Sequence, residues 1–270
     1  MLLAVDVGNT NITLGLWNGQ EWENQWRLRT VHDQTVDEYG VYLKSLLREV
    51  DAAEKVTAAI ISSVVPPLTA TFITVCKIYL GQEPLLVNSE TDTGIQIVTD
   101  NPAEVGADRI VDAAAAHHLY PGYSIVVDIG TATTFDVVSD KGELLGVAIA
   151  PGLGVAAAAL SSRAAQLGRV ALEAPPHAIG RNTVHAMQSG LIFGYVALIE
   201  GLVARITAEL NQQFATSEAP IRPQVIGTGG LISIIASETD VIDHIDPWLT
   251  LTGLRIIYER HQENQPGKIQ

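Results

Sequence analysis

The sequence predicts an α/β protein built from two similar halves, on three observations. Strand-like and helix-like patterns alternate along the 270 residues, as they do where central sheets are flanked by helices. The N-terminal run Val5-Asp6-Val7-Gly8-Asn9-Thr10-Asn11-Ile12-Thr13 returns in similar form as Val127-Asp128-Ile129-Gly130-Thr131-Ala132-Thr133-Thr134. Both copies follow a short apolar strand pattern and run on into alternating residues, Leu14-Gly15-Leu16-Trp17 and Phe135-Asp136-Val137-Val138. Self-similarity at this spacing speaks to architecture rather than to one turn. The chain therefore reads as duplicated, with residues 1–118 as one half and 119–270 as the other; no Pro/Gly/Ser-rich linker separates them.

In order along the chain, strand patterns occupy 2–7 and 12–17, and a helical repeat of apolar residues runs from Val36 through Tyr39, Val41-Tyr42 and Leu46-Leu47 to Val50. Strands follow at 57–62 and 84–88, then an Ala-rich helix over 108–119. Strands at 125–129 and 134–138 open the second half. The apolar stretch from Leu144 to Leu160 carries Gly146, Pro151, Gly152 and Gly154, and reads as buried loop and helix rather than a membrane span. The longest helix starts at Asn182-Thr183, with Asn182 as N-cap, and continues to about Leu210. Its apolar positions Val184, Met187, Leu191, Tyr195, Leu198, Leu202 and Ile206 recur at three- and four-residue steps. Gly190 and Gly194 on that helix suit a close helix approach, within the chain or between subunits. Val225-Ile226-Gly227-Thr228-Gly229-Gly230-Leu231 reads as a strand, a glycine turn and a helix start, and the polar tail from Gln262 to Gln270 is expected to fray.

Hydrophobic residues make up 47% of the chain and charged residues 17%, an ordinary globular balance that excludes a disordered chain. A net charge of −14 repels a nucleic-acid backbone. No local basic patch offsets it, because Arg27 with Arg29 and Lys44 with Arg48 are diluted by acids, so no nucleic-acid partner is expected. Cys76 is the only cysteine and lies in an apolar stretch, which fits a buried residue in a reducing compartment. Asp6 interrupts the first apolar run too early for a signal peptide. The expectation is a cytoplasmic protein with no membrane partner.

The repeated run is where chemistry is expected. A strand that ends in Asp and turns through Gly into hydroxyl-rich residues can hold a metal or water on the carboxylate. It can also cradle phosphate with backbone N–H and hydroxyl donors. Two such hairpins facing each other would grip a polyphosphate. Between them lies Asn101-Pro102-Ala103-Glu104-Val105-Gly106-Ala107-Asp108-Arg109. Asp108 is either an acid favoured by the dipole of a helix start or a carboxylate base beside a guanidinium suited to a substrate carboxylate. An Asp with its ordinary pKa is ionised at neutral pH and accepts a hydroxyl proton during phosphoryl transfer. Neither G-x-x-x-x-G-K-S/T nor G-x-G-x-x-G after the first strand is present, so a nucleotide site here is not of the P-loop or Rossmann kind. His117 and His118 are adjacent rather than spaced as ligands, and no H-E-x-x-H or G-x-S-x-G occurs.

Taken in order, Asp6-Val7-Gly8-Asn9-Thr10, Ser62-Ser63-Val64-Val65-Pro66, Gly106-Ala107-Asp108-Arg109, Asp128-Ile129-Gly130-Thr131-Ala132-Thr133, Pro151-Gly152-Leu153, Gly180-Arg181-Asn182-Thr183 and Thr228-Gly229-Gly230 resemble the type III pantothenate kinases. The resemblance implies the fold of the acetate and sugar kinase, Hsp70 and actin superfamily: two ribonuclease-H-like half-domains with a nucleotide cleft between them. It implies ATP-dependent phosphorylation of pantothenate to 4′-phosphopantothenate, the first step of coenzyme A biosynthesis, by a homodimer. ATP would be held by Asp6, Val7, Gly8, Asn9, Thr10, Asn11, Ile12, Thr13 and Thr131, with Asp6 near Mg²⁺ through water. Asp128 corresponds to the ligand of a monovalent cation, K⁺ or NH₄⁺. Gly106, Ala107, Asp108, Arg109 and Thr183 match the pantothenate-binding positions, with Asp108 as the catalytic base. Thr99 departs from the family, which commonly places a substrate-contacting Tyr there, and Leu167-Gly168 stands where Leu-Pro is usual. The rival readings are another small-molecule kinase of the superfamily, a non-enzymatic transcription accessory factor, and an actin-like filament ATPase.

Overall fold

The computed structural model describes residues 1–163, 167–215 and 220–264. Contacts divide the chain into two compact units, Met1–His118 with Leu249–Gln270, and Leu119–Trp248.

The first unit is organised by β1 (Leu2–Val7), β2 (Asn11–Trp17), β3 (Trp22–Arg29), β4 (Ala58–Ser63) and β5 (Leu85–Leu86), arranged β3-β2-β1-β4-β5. β1 pairs antiparallel with β2 and β2 with β3, whereas β1 pairs parallel with β4 and β4 with β5. Alternation along β1 sends Leu3, Val5 and Val7 into a core with Ile12, Leu14 and Leu16. Helices α1 (Val36–Glu49) and α2 (Pro66–Val75) close that core through Tyr39, Leu43, Leu47, Leu68 and Phe72. A capping box starts α1: Thr35 accepts from the Glu38 N–H, and the Glu38 carboxylate accepts from the Thr35 N–H at 2.8 Å.

A π-turn over Cys76–Leu80 continues α2 and ends at Gly81, whose φ of 66° is left-handed. Cys76 faces the core, and burial pushes its thiol up to about 12. It therefore stays protonated through neutral pH and lacks the reactive thiolate. The expected outcome is that iodoacetamide labels the native protein far more slowly than the denatured one, as followed by mass spectrometry.

The segment after β5 carries the short strand β6 (Gln96–Ile97), a 3-10 turn over Pro102–Glu104, and α3 (Ala107–Leu119), whose Ile110, Val111 and four alanines from Ala113 to Ala116 are buried.

The second unit repeats the sheet with β7 (Ser124–Ile129), β8 (Ala132–Val138), β9 (Glu143–Pro151), β10 (Gln224–Thr228) and β11 (His244–Ile245), in the order β11-β10-β7-β8-β9. β7, β8 and β9 are antiparallel in sequence, and β7, β10 and β11 are parallel. The duplication expected from the repeated hairpin is thus realised strand for strand, as two ribonuclease-H-like sheets. Helices α4 (Leu153–Arg163), α5 (Thr183–Phe214) and α6 (Ile232–Ala236) accompany it. α5 is capped by Asn182, which accepts from the His185 N–H at 2.9 Å. Met187, Leu191, Ile192, Tyr195, Val196, Ile199 and Val203 form its buried face. Among the described residues α5 alone is long and apolar enough to cross a membrane; one face of it packs on the second core.

β3, β9 and the last helix, like α2, β6 and β11, fall outside the patterns read from the sequence. β3 and β9 border the hairpins, and β3 mixes Glu23, Arg27 and Arg29 with polar and aromatic residues, so no apolar run marks it. The last helix, α7 (Leu249–Glu263), returns to the first unit and packs on β1, β2 and β4. Its Leu251 and the Trp22 ring fill the space above Gly15, where a Cβ would stand 2.6 Å from Trp22. A Cβ on Gly253 would stand 2.3 Å from the Val111 carbonyl oxygen, so α3 and α7 meet at van der Waals closeness. Reading 119–270 as one continuous half leaves out this return. Gln262 and Glu263 finish α7, and the fraying expected at 265–270 lies outside the described residues.

Candidate active site

Each hairpin places its Asp at the same point of its sheet. In the first unit Asp6 is in register with Thr13 on β2 and Ser62 on β4. In the second, Asp128 is in register with Thr134 on β8 and Thr228 on β10. Because in-register residues share a face, each carboxylate has a hydroxyl on either side. The Ser62 hydroxyl is 0% exposed and has no hydrogen-bond partner among the described residues. A buried, unsatisfied oxygen beside a carboxylate is a donor set for a hard cation or its water, and so fits Mg²⁺. Among the described residues no three His, Cys, Asp or Glu side chains gather; the first hairpin offers Asp6 with neutral oxygens, whereas the second also carries the buried Asp136 on β8, whose Oδ2 accepts from the Thr134 hydroxyl at 3.5 Å.

The two turns differ by one residue. Gly8-Asn9-Thr10 links β1 to β2, with the Gly8 N–H donating to the Asn11 carbonyl at 3.0 Å; Gly130-Thr131 links β7 to β8, with the Gly130 N–H donating to the Ala132 carbonyl at 2.9 Å. Asn9, Thr10, Asn11 and Thr131 are exposed. Around the second turn the glycines act as spacers. The Gly152 N–H donates to the Thr131 carbonyl at 3.1 Å, and a Cβ on Gly152 would stand 2.3 Å from the Gly130 carbonyl oxygen. Gly229, at φ 92°, lies on Asp128 so closely that a Cβ would stand 2.3 Å from Oδ1. Pro151-Gly152 and Thr228-Gly229, far apart in sequence, thus converge on the Asp128 hairpin. Tyr195 fixes the rim by donating its hydroxyl to the Pro151 carbonyl at 2.8 Å. Burial raises the pKa of this phenol above its ordinary value, so it remains a donor at neutral pH.

The Gly106 segment opens α3. The Gly106 carbonyl accepts the N–H groups of Arg109 at 3.1 Å and Ile110 at 3.2 Å, which starts the helix. Asp108 folds back over that start: its Oδ1 accepts the Arg109 N–H at 2.8 Å and lies 2.6 Å from where a Gly106 Cβ would be. Gly106 is thus required by the carboxylate rather than by the turn. Oδ2 has no hydrogen-bond partner among the described residues, which leaves it to accept a proton. The helix N-terminus stabilises the anion. Val64 ties this segment to the first hairpin: its N–H donates to the Val7 carbonyl at 3.1 Å, and its Cγ1 lies 3.3 Å from the same Gly106 Cβ position. Ala107 and Ile110 are buried, and Asp108 and Arg109 half-buried.

The first unit therefore brings together Asp6, Val7, Gly8, Asn9, Thr10, Asn11, Ile12 and Thr13 with Gly106, Ala107, Asp108 and Arg109. The second brings Asp128 and Thr131 together with Gly152 and Gly229. Thr183 stands exposed in the first turn of α5, which packs against Gly180, where a Cβ would meet the Ala186 nitrogen at 2.3 Å. His117 and His118 occupy the last turn of α3. Ser62, within the Ser62-to-Pro66 motif, gains a place in the site only through parallel register, which no local pattern reveals.

Comparison with known proteins fits this geometry. The family model of type III pantothenate kinases matches residues 2–205. The type III pantothenate kinase of Moorella thermoacetica is 47% identical over 263 residues, covering 97% of this chain and 100% of that protein. Among solved structures, a conserved Campylobacter jejuni protein named for the Baf family of transcriptional activators superposes with a TM-score of 0.60 at 20% identity, covering 97% of this chain and 99% of that one. MreB 5 of Spiroplasma citri, bound to AMPPNP, superposes at 0.56 with 9% identity, covering 99% and 98%. At such identities these two likenesses establish the fold alone. The family match runs from β1 through both hairpins and into α5, and the chain belongs to the type III pantothenate kinase family.

Proposed function

We propose that this chain transfers the γ-phosphoryl group of ATP to the primary hydroxyl of pantothenate, giving 4′-phosphopantothenate and ADP, the first step toward coenzyme A. The observation that carries the reading is Asp108 at the start of α3, with one carboxylate oxygen held by the Arg109 N–H and the other left to take the hydroxyl proton. Val64 links its segment to the hairpin that receives the phosphates. In this reading Asp108 orients and deprotonates the hydroxyl, Arg109 positions the substrate carboxylate, Gly106 and Ala107 line its place, and Thr183 adds a contact. Residues 6–13 and Thr131 hold ATP. Asp6 and Ser62 would hold Mg²⁺ through water, and Asp128, between Thr134 and Thr228, would hold K⁺ or NH₄⁺. When bound, these ions neutralise charge on the phosphoryl oxygens. What remains for the protein is positioning and electrostatics, so the site needs no covalent nucleophile.

A homodimer is part of the same reading. A Cβ added at Gly190, Gly194 or Gly201 of α5 would meet nothing within 4 Å, so the close approach these glycines permit is not used among the described residues. In the same unit Val147, Ile149, Val155, Leu160 and Val184 are exposed. The reaction is assigned to the cytoplasm, where Cys76 remains a thiol.

A coupled ADP-release assay tests the reading. ADP release is expected to require pantothenate and to fall when sodium replaces potassium. Release that ignores pantothenate would overturn the substrate, and equal rates in both salts would overturn the monovalent cation.

A further inference from the structure

We propose that Thr30, one residue beyond β3, is the positioning residue that turns the Asn9 peptide N–H of the first hairpin toward the phosphates of ATP. The proposal rests on the reading that this hairpin holds ATP. Thr30 is 8% exposed and makes two bonds to the turn: its hydroxyl donates to the Gly8 carbonyl at 2.7 Å, and its N–H donates to the Thr10 carbonyl at 3.0 Å. In a trans peptide the C=O and the following N–H point in opposite directions. Fixing the Gly8 carbonyl on Thr30 therefore aims the Asn9 N–H away from Thr30, while the Thr10 carbonyl, held by the Thr30 N–H, fixes the other side of the turn to the end of β3. The Asn9 N–H, at an exposed residue of the turn, is left as an outward donor, which is what an anion site needs.

The clasp is anchored in the core. The neighbouring Val31 is held at both backbone groups by one phenol: its N–H donates to the Tyr39 hydroxyl at 3.0 Å, and that hydroxyl donates to the Val31 carbonyl at 3.0 Å. Tyr39 is buried on α1 and packs on Phe72 with ring centroids 4.9 Å apart. A rigid line thus runs from Phe72 and Tyr39 through Val31 and Thr30 to the turn.

The repeat supplies an internal comparison. Gly152, one residue beyond β9, stands where Thr30 stands in the first unit. Its N–H makes the matching bond to the Thr131 carbonyl at 3.1 Å. A side chain is excluded there, because a Cβ would lie 2.3 Å from the Gly130 carbonyl oxygen. Both units share the backbone clasp, and only the first adds a hydroxyl to it. That difference singles out the first hairpin as the one with a donor oriented by a side chain.

Thr30→Val keeps the shape and removes the hydroxyl; Thr30→Ser restores it. Steady-state kinetics with each substrate varied are expected to give Thr30→Val a KM for ATP raised about tenfold, the scale of one lost hydrogen bond. The KM for pantothenate and the thermal unfolding midpoint should stay close to wild type, and Thr30→Ser should recover ATP affinity. An unchanged KM for ATP in Thr30→Val, no recovery in Thr30→Ser, or a parallel rise in both KM values with a lowered midpoint would overturn the positioning role. Asp6→Asn separates this from the reading beneath it. If Asp6→Asn weakens ATP binding and Thr30→Val does not, the Thr30 proposal alone fails; if neither weakens it, the hairpin is not the ATP site and both fail.

Discussion

Asp108→Asn is expected to lower kcat for pantothenate-dependent ADP release by about 10²- to 10⁴-fold, the usual contribution of a general base. The substitution preserves volume, and the amide oxygen can still accept the Arg109 N–H that Oδ1 accepts at 2.8 Å. The start of α3, set by the Gly106 carbonyl, is not touched. On the proposed mechanism what is lost is the anionic oxygen that would take the hydroxyl proton, so the effect should fall on kcat while the KM values for ATP and pantothenate move little. Quantifying 4′-phosphopantothenate by mass spectrometry beside ADP keeps hydrolysis of ATP by water from counting as transfer. A variant with full phosphopantothenate output would remove Asp108 from the role of base and leave it as a helix-start acid.

The legibility of this site in the sequence follows the range of the interactions involved. Asp6 and Asp128 can be read because each is embedded in local signals: a strand of alternating apolar residues, a glycine, then hydroxyls. Asp108 can be read as a candidate because Pro102 and Gly106 mark a loop before an Ala-rich helix. Ser62, Gly152 and Gly229 acquire their places through strand register and through contacts between residues distant in sequence, which no window of sequence contains. The extra residue in the first turn changes only one bond, Gly8 to Asn11 instead of Gly130 to Ala132, so the two copies look equivalent until their carbonyls are traced. β3 is hidden by its charged residues and α7 by its destination. An amphipathic helix states that it must bury a face, and only the packing of Leu251 over Gly15 and Gly253 against Val111 states where.

Gly229→Ala is expected to act on stability and on cation use together, because two separate constraints meet at that residue. Its φ of 92° is a conformation that costs an L-residue about 1–2 kcal/mol. The new Cβ would also stand 2.3 Å from Asp128 Oδ1 and 2.7 Å from the Ile129 nitrogen and oxygen. The Ile129 atoms are backbone held in the β7 ladder and cannot step aside, so the Asp128 carboxylate must move. The unfolding midpoint should fall by on the order of 4 °C for the backbone cost alone, and the ratio of activity in potassium to that in sodium should collapse toward one. Asp128→Asn separates the two effects: it retains the glycine turn and the shape of the side chain, so it should abolish the potassium preference with a much smaller change in midpoint. Both variants keeping the wild-type potassium-to-sodium ratio would remove Asp128 from the cation site. A Gly229→Ala protein that alone kept the wild-type ratio, despite a lowered midpoint, would mean that the carboxylate reaches its cation from a displaced position and that the close contact with Gly229 serves the fold.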